Sequence, residues 1–218
     1  MRNLFIEYWE SPSVQRNKEV HNCILKNINS KLFDNIFIFT ENKNIVKKYK
    51  KYNTVKPIIS SIRCTFYVAF NFLNQFIKDN NLNENTILNI ISNSDIEFNE
   101  TLKTADIMHK NDFYALTRYD LIDKKNKQIK LDTLDNTIGS CSQDTWIYKG
   151  IFKNLNIDMD IPFGIPGCDN RIAYLLFHTD YNLLNPALDI KTIHNHLTNI
   201  RSGSSGDQKQ RILGYYYF

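Results

Sequence analysis

The sequence predicts an α/β protein with a mixed, mostly parallel central sheet flanked by helices. Three observations carry this. Apolar runs of strand length alternate with segments whose apolar residues recur at helical spacing, the order of a layered α/β sheet. The run at residues 85–92, "NTILNIIS", is almost continuously apolar, as in strands covered on both faces. A chain of 218 residues, 42% hydrophobic, suffices for one sizeable core. Residues 1–218 are therefore read as one domain.

Each element follows in order. Residues 3–8, "NLFIEY", form the first strand. Ser11 before Pro12 marks a helix start, and Val20, Ile24 and Ile28 recur every four residues behind it. "NIFIFTE" at 35–41 is the second strand, and 43–52 a short basic helix or turn. "VKPIIS" at 55–60 is a third strand, which Pro57 confines to a sheet edge or a strand start. Phe66, Phe70, Leu73 and Ile77 line one stripe of the next helix, a core-facing pattern. Residues 113–121 read as a further strand, 122–130 as a solvated charged loop and 144–150 as another strand. "IPFGIPGCDNRIAYLLFH" turns into a helix, and 183–196 ends extended. Residues 202–210 are a flexible loop, and 211–218 an apolar tail expected to dock back.

Composition excludes several classes. Basic residues number 27 and acidic ones 23, a mild excess that does not in itself indicate nucleic acid. The abundance of Asn and Lys is read as genome bias. Aromatic residues at 13% argue against disorder. Cys23, Cys64, Cys141 and Cys168 make no C-x-x-C pair, so neither a zinc knuckle nor a redox motif is indicated. Acids interrupt the apolar N-terminal stretch, and no window reaches the length of a membrane span. The expectation is a soluble, reduced, cytoplasmic protein with no membrane span.

Ligands of parallel sheets bind beyond the carboxyl ends of the strands. Asp95 and Glu97 lie at such an end, two residues apart, and in extended chain would share a side. Like charges held close need neutralising, and carboxylates suit Mg²⁺ or Mn²⁺, which in turn hold a diphosphate. A solvated turn, with Asp95 bonding nearby amides, is the competing reading. There is no P-loop and no G-x-G-x-x-G, and seven glycines are few for a glycine-cradled phosphate, so a metal would do that work. Tyr8 and Trp9 end the first strand, where a nucleotide base would stack or the rings would simply pack.

The segment "SNSDIEFNETL" resembles the N-x-D-I-x-F-x-x-T-L stretch of a family of GT-A-fold glycosyltransferases from large DNA viruses, such as the chlorella viruses, and from bacteria. Further segments resemble that family in the same order: "RNKEVHNCILKNI", "RCTF", "ALTRYD", "SQDTWIY", "GIPGCDNRIAY" and "NPALDIKTIHNH" with Arg201. The similarity spans residues 3 to 201. One departure is Glu97, where the wider fold carries a second Asp.

The resemblance implies a metal-dependent, inverting transfer from a nucleoside diphosphate sugar, UDP-linked, to a glycan or other hydroxyl acceptor. A viral protein of this kind would work in the host cytoplasm. Asp95 and Glu97 would hold Mn²⁺ or Mg²⁺, with His194 or His196 as third ligand. Asp169 would be the general base, and Asp144 a rival base or a ligand of sugar hydroxyls. Trp146 would offer its face to a sugar or sit in the core. Arg63 and Arg201 would bind phosphate and Arg118 the sugar or acceptor, with Arg16 a further nucleotide-sugar contact. His21, His109 and His178 receive no role. Two other readings stand beside this one. A sugar nucleotidyltransferase would need a Gly-rich basic signature near the first strand, where "IEYWESPSVQR" has none. A nucleic-acid-binding module is suggested by "KKYKKY" and "KKNKQIK", but those runs are better explained as solvated surface, and no nucleic acid is expected.

Overall fold

Strand β1 (Arg2–Glu7) lies between β2 (Asn35–Thr40) and β4 (Leu88–Asn93), parallel to both. This is the centre of a seven-stranded sheet in a computed structural model that describes residues 1–123, 125, 127–132 and 142–198. Beyond β2 comes β3 (Val55–Ile59), and beyond β4 come β9 (Gln143–Lys149), β6 (Asp112–Thr117) and β10 (Asn182–Leu184). Only β9 runs against its neighbours, so the sheet is mixed and mostly parallel, as expected. Pro57 falls on β3, at the sheet's edge, where no second partner asks for its missing N–H.

Helices cover both faces because the central strands alternate two apolar sets. Leu4 and Ile6 face a core shared with Val20 and Ile24 of α1 (Val14–Asn29) and Tyr49 of α2 (Lys43–Tyr49). Phe5 faces the other core, with Phe66, Phe70 and Leu73 of α3 (Phe66–Asp79) and Ile172 and Leu176 of α4 (Cys168–Phe177). A buried amide ladder crosses the sheet. Asn35 donates to Asn3 (2.9 Å), Asn3 to Asn89 (3.1 Å), and Asn89 to the Gly150 carbonyl (2.8 Å). Fully paired, such a chain pins the strand register, and these asparagines are structural rather than a compositional by-product.

Three expectations are corrected. Helix α1 begins after Ser13, whose hydroxyl accepts from the Arg16 amide (3.3 Å), while Ser11 bonds Asn17 and Ser13 ahead of it. The single strand read over 113–121 breaks at Arg118. The register slips at Leu116/Thr117, and β7 (Tyr119–Asp123) leaves the main sheet. The charged loop over 122–130 belongs to a hairpin of β7 with β8 (Gln128–Leu131), in which β8 turns Gln128 and Lys130 outward. Helix α4 is capped by Gly167, in a left-handed conformation (φ 87°), and Asp169 sits in its first turn. Strands β7 and β8 join β5 (Ile96–Glu97) and β11 (Ile193–His194) in a second sheet, ordered β5-β11-β7-β8. Residues 202–218 and Cys141 lie outside the described residues.

Candidate active site

The carboxyl ends of β1 and β4 open toward this second sheet, and the turn after β4 carries Asp95. Its backbone is tied from three sides. The Asp95 carbonyl accepts from the Asn195 amide (2.9 Å) and the Cys23 thiol (3.3 Å), and Asn27 brackets β5 by donating to the Ile96 carbonyl (2.8 Å) and accepting from the Phe98 amide (2.9 Å). The turn at Ser94–Asp95 interrupts the extended chain. Asp95 and Glu97 therefore do not share a side as expected: Glu97 lies on α1, with its carboxylate 2.5 Å from Lys26.

Asp95 is buried and meets two cationic partners. The Arg16 guanidinium bonds its Oδ2, and His194 Nε2 stands 3.1 Å from the same oxygen. Burial alone would push the Asp95 carboxyl up, but His194 and Arg16 hold it well below the usual range. Burial would likewise lower His194, yet Asp95 and Asp120 raise it to about 9. The Nδ1 of His194 donates to Asp120 Oδ1 (2.8 Å). His196 completes a group with Asp95 and His194 whose ligand atoms lie within 4.8 Å of one another. A carboxylate and two imidazoles, one steered by a carboxylate behind it, suit Mn²⁺ better than Mg²⁺. The residues fit a divalent ion. Glu97, turned to Lys26, is not part of this group. Arg16 also donates to the Asn195 carbonyl (3.2 Å) and Glu19 (3.3 Å), so it fastens Asp95 while lining the cavity that leads to it.

The other half of the site is built around Arg118, at the break between β6 and β7. Its Nη1 donates to Asp144 (2.7 Å) and its Nε to Asp120 (3.1 Å). Burial works against the guanidinium charge, but Asp144, Asp120 and Asp132 keep it protonated. Asp144, at the start of β9, also accepts from Asn93 Nδ2 (2.7 Å), so both its oxygens are engaged. Asp169 is different. Burial and the nearby Asp144 charge raise its carboxyl to about 6 against an ordinary 3.8. Trp146 is fully buried, edge-on to Phe66 with centroids 4.7 Å apart, and belongs to the core.

A cavity of about 380 Å³ opens beyond β1 and β2, lined by Tyr8, Trp9, Glu10, Glu41 and Lys43 among others. Trp9 is 52% exposed there, whereas Tyr8 is buried against Tyr49. An adjoining cavity of about 160 Å³ reaches from Trp9 past Arg63 to Asp95 and Gly164. Arg63 spans to the 163–164 turn, donating to the Phe163 carbonyl (2.5 Å). Arg201 lies outside the described residues. Of the predicted residues, then, Asp95, His194 and His196 converge, and Arg118 joins Asp144. Trp9 and Arg63 line one channel leading to Asp95.

Asp120, Asn93 and Asn27 escaped sequence reasoning. Asp120 carried a usable signal, since it stands two residues after Arg118 in extended chain, the same spacing that drew notice at Asp95.

The fold defines a class: a GT-A-type, Rossmann-like α/β sheet with its polar centre beyond the carboxyl strand ends. Among solved structures, 4-diphosphocytidyl-2C-methyl-D-erythritol synthase is similar at a TM-score of 0.50 and 10% identity, over 95% of each chain. GalNAc-T7, solved with UDP, GalNAc and Mn²⁺, gives 0.49 and 11% over 88% of this chain and 43% of its own. TarS 1–349 of S. aureus gives 0.46 and 14%, over 88% and 57%. The chain thus spans less than two thirds of either of these last two chains, and at these identities the likeness is one of fold alone. No family model and no curated protein matches the sequence.

Proposed function

We propose that the protein is a metal-dependent glycosyltransferase that moves a sugar from a nucleoside diphosphate sugar, UDP-linked, to a hydroxyl of a glycan or similar acceptor with inversion. One observation carries this reading: the charge of Asp144 acts both on His194, a member of the Asp95–His194–His196 group, and on the raised carboxyl of Asp169. A carboxyl raised toward neutrality is what a general base requires. Asp169 takes the acceptor proton as that hydroxyl's oxygen attacks the anomeric carbon. The bond from that carbon to the diphosphate oxygen breaks on the opposite face, and the nucleoside diphosphate leaves with the electron pair.

Trp9 stacks on the base in the larger cavity, and Arg63, at the channel leading to Asp95, faces the diphosphate. Asp144, oriented by Arg118 and Asn93, accepts from sugar hydroxyls. Asp95, His194 and His196 would hold a divalent ion, which would supply positive charge to a departing diphosphate.

A sugar nucleotidyltransferase is the second reading, since the same sheet serves that chemistry. Against it, the segment after β1, "YWESPS", carries neither a glycine nor a basic residue, where such an enzyme would need a Gly-rich basic signature. Incubating the protein with a panel of nucleotide sugars and Mn²⁺, and measuring release of nucleoside diphosphate, tests the first reading. Pyrophosphate release from a nucleoside triphosphate and a sugar 1-phosphate, without turnover of any nucleotide sugar, would replace it by the second.

A further inference from the structure

The charges of this chain are not evenly distributed. Residues 42–78 contain eight basic side chains and no acid, while the other 19 basic residues are outnumbered by 23 acids. Six of the eight, Lys43, Lys47, Lys48, Lys50, Lys51 and Lys56, come from α2, the turn after it and β3, at one edge of the sheet. All six are exposed, and among the described residues none makes a salt bridge. They crowd one another. Burial and then Lys51 disfavour the charge of Lys48, and burial and then both lysines disfavour a proton on His21, which bonds the Tyr49 hydroxyl (2.5 Å). Glu10 is the acid whose charge offsets Lys48. An uncompensated cluster of like charge gains most from a partner of opposite sign.

The chemistry of the patch narrows the partner. Apart from Arg63, turned to the Phe163 carbonyl, the segment has no guanidinium, and forked recognition of individual phosphates favours Arg. Lysines give a diffuse attraction. Beside them, at the carboxyl end of β3, Ile59 and Ile62 are 49% and 59% exposed, and Ile62 shares the larger cavity with Lys43 and Trp9. Lysines flanking exposed aliphatic and indole side chains match a bilayer interface, where charge meets headgroups and the apolar tips enter the acyl boundary.

We propose that the α2–β3 edge is a docking surface for an anionic lipid bilayer, held by the six lysines and seated by Ile59 and Ile62. The mouth of the cavity beyond β1 and β2 then lies at the membrane. This inference does not depend on the glycosyltransferase reading, because lipid binding is measured without any substrate.

The test is flotation of the full chain with vesicles of phosphatidylcholine alone or with about 30% phosphatidylserine, at low salt and at roughly 0.5 M salt. The expected result is binding to the anionic vesicles only, released by salt. It should weaken at least about 100-fold in the variant Lys47→Glu/Lys48→Glu/Lys50→Glu/Lys51→Glu, and by a smaller factor in Ile62→Ser, whose charge is unchanged. The Ile62 variant and far-UV dichroism of the quadruple variant separate lost docking from lost folding. Equal binding to neutral vesicles, or full binding by the quadruple variant, would overturn the proposal. So would binding of single-stranded RNA with no binding of anionic vesicles, which would make this edge a nucleic-acid surface.

Discussion

The imidazole of His194 on β11 bridges two carboxylates from its two flanks, one on β7 and one in the turn before β5: its Nδ1 is 2.8 Å from Asp120 Oδ1 and its Nε2 3.1 Å from Asp95 Oδ2. The pairing of β11 with β7 and β5 places the three side chains together, His194 lying opposite Asp120 on one flank and Ile96 on the other. A carboxylate behind a histidine fixes which nitrogen is presented to a ligand.

Removing that carboxylate should therefore weaken metal binding without touching a ligand. Asp120→Ala is expected to lower Mn²⁺ affinity by about 10- to 100-fold, measured by calorimetry at pH 7.5. Unchanged affinity would leave Asp120 with no part in holding the ion.

The two acids of the Asp95–Glu97 pair should separate sharply. Asp95→Asn removes the counter-charge of Arg16 and His194 together, and Mn²⁺-dependent UDP binding should disappear. Its loss inside a buried network should also destabilise the fold by roughly 3 kcal/mol. Glu97→Gln breaks only the half-exposed pair with Lys26, worth about 0.5 kcal/mol or less, and should keep metal affinity. A Glu97→Gln variant that lost Mn²⁺ would return that residue to the metal site.

Asp169 predicts both a rate and a stability effect. Asp169→Asn should cut turnover by about 10² to 10⁴ while nucleotide affinity holds, and the acid limb of the parent's pH–rate profile, near pH 6, should vanish with it. The folded pKa lies above the ordinary 3.8, so the protonated form is the one folding favours. That contribution is fully present below 3.8 and is lost as pH rises through about 6. At pH 7.5 the ionised group is a burden, and Asp169→Asn should raise stability by on the order of 1–3 kcal/mol, with little gain near pH 3. Denaturant titrations at the two pH values check this.

Trp9 and Tyr8 are neighbours with different fates. Trp9→Ala should weaken UDP binding about tenfold or more, since stacking of a base on an aromatic ring contributes roughly 1–3 kcal/mol, and should leave the melting temperature nearly unchanged because the ring is half exposed. Tyr8→Ala should do the reverse, unfolding the protein more readily, as its ring is buried beside Tyr49.

The sheet was legible because its signals are local. The apolar runs at 3–8, 35–41 and 85–92 and the stripe from Phe66 to Ile77 become β1, β2, β4 and α3, and Pro57 marks the edge it was expected to mark. The site was legible in part. Asp95 was found from its place after a buried strand, but the partner chosen for it, Glu97, followed a spacing rule for extended chain that the Ser94–Asp95 turn cancels. The break at Arg118 was invisible because apolar residues continue on both sides of it, in β6 and in β7, and only the sheet that each joins separates them. The Asn ladder and the Asp120–His194 bond are long-range pairings, and nothing in a local window distinguishes such residues from solvated ones.

Asp95 is held by Arg16, 79 positions before it, and by His194, 99 positions after it. A centre joined across such separations has no partial form: neither half of the chain contains it, and loop closure over these distances comes late in folding. During synthesis the chain emerges with Asp95 already made and its histidine partner still to come. The acid can be buried favourably only when β11 docks between β5 and β7. Arrival of the Asp95–His194 pair and completion of the fold are therefore one event, and a nascent chain that has not yet released residue 194 lacks the proposed metal site.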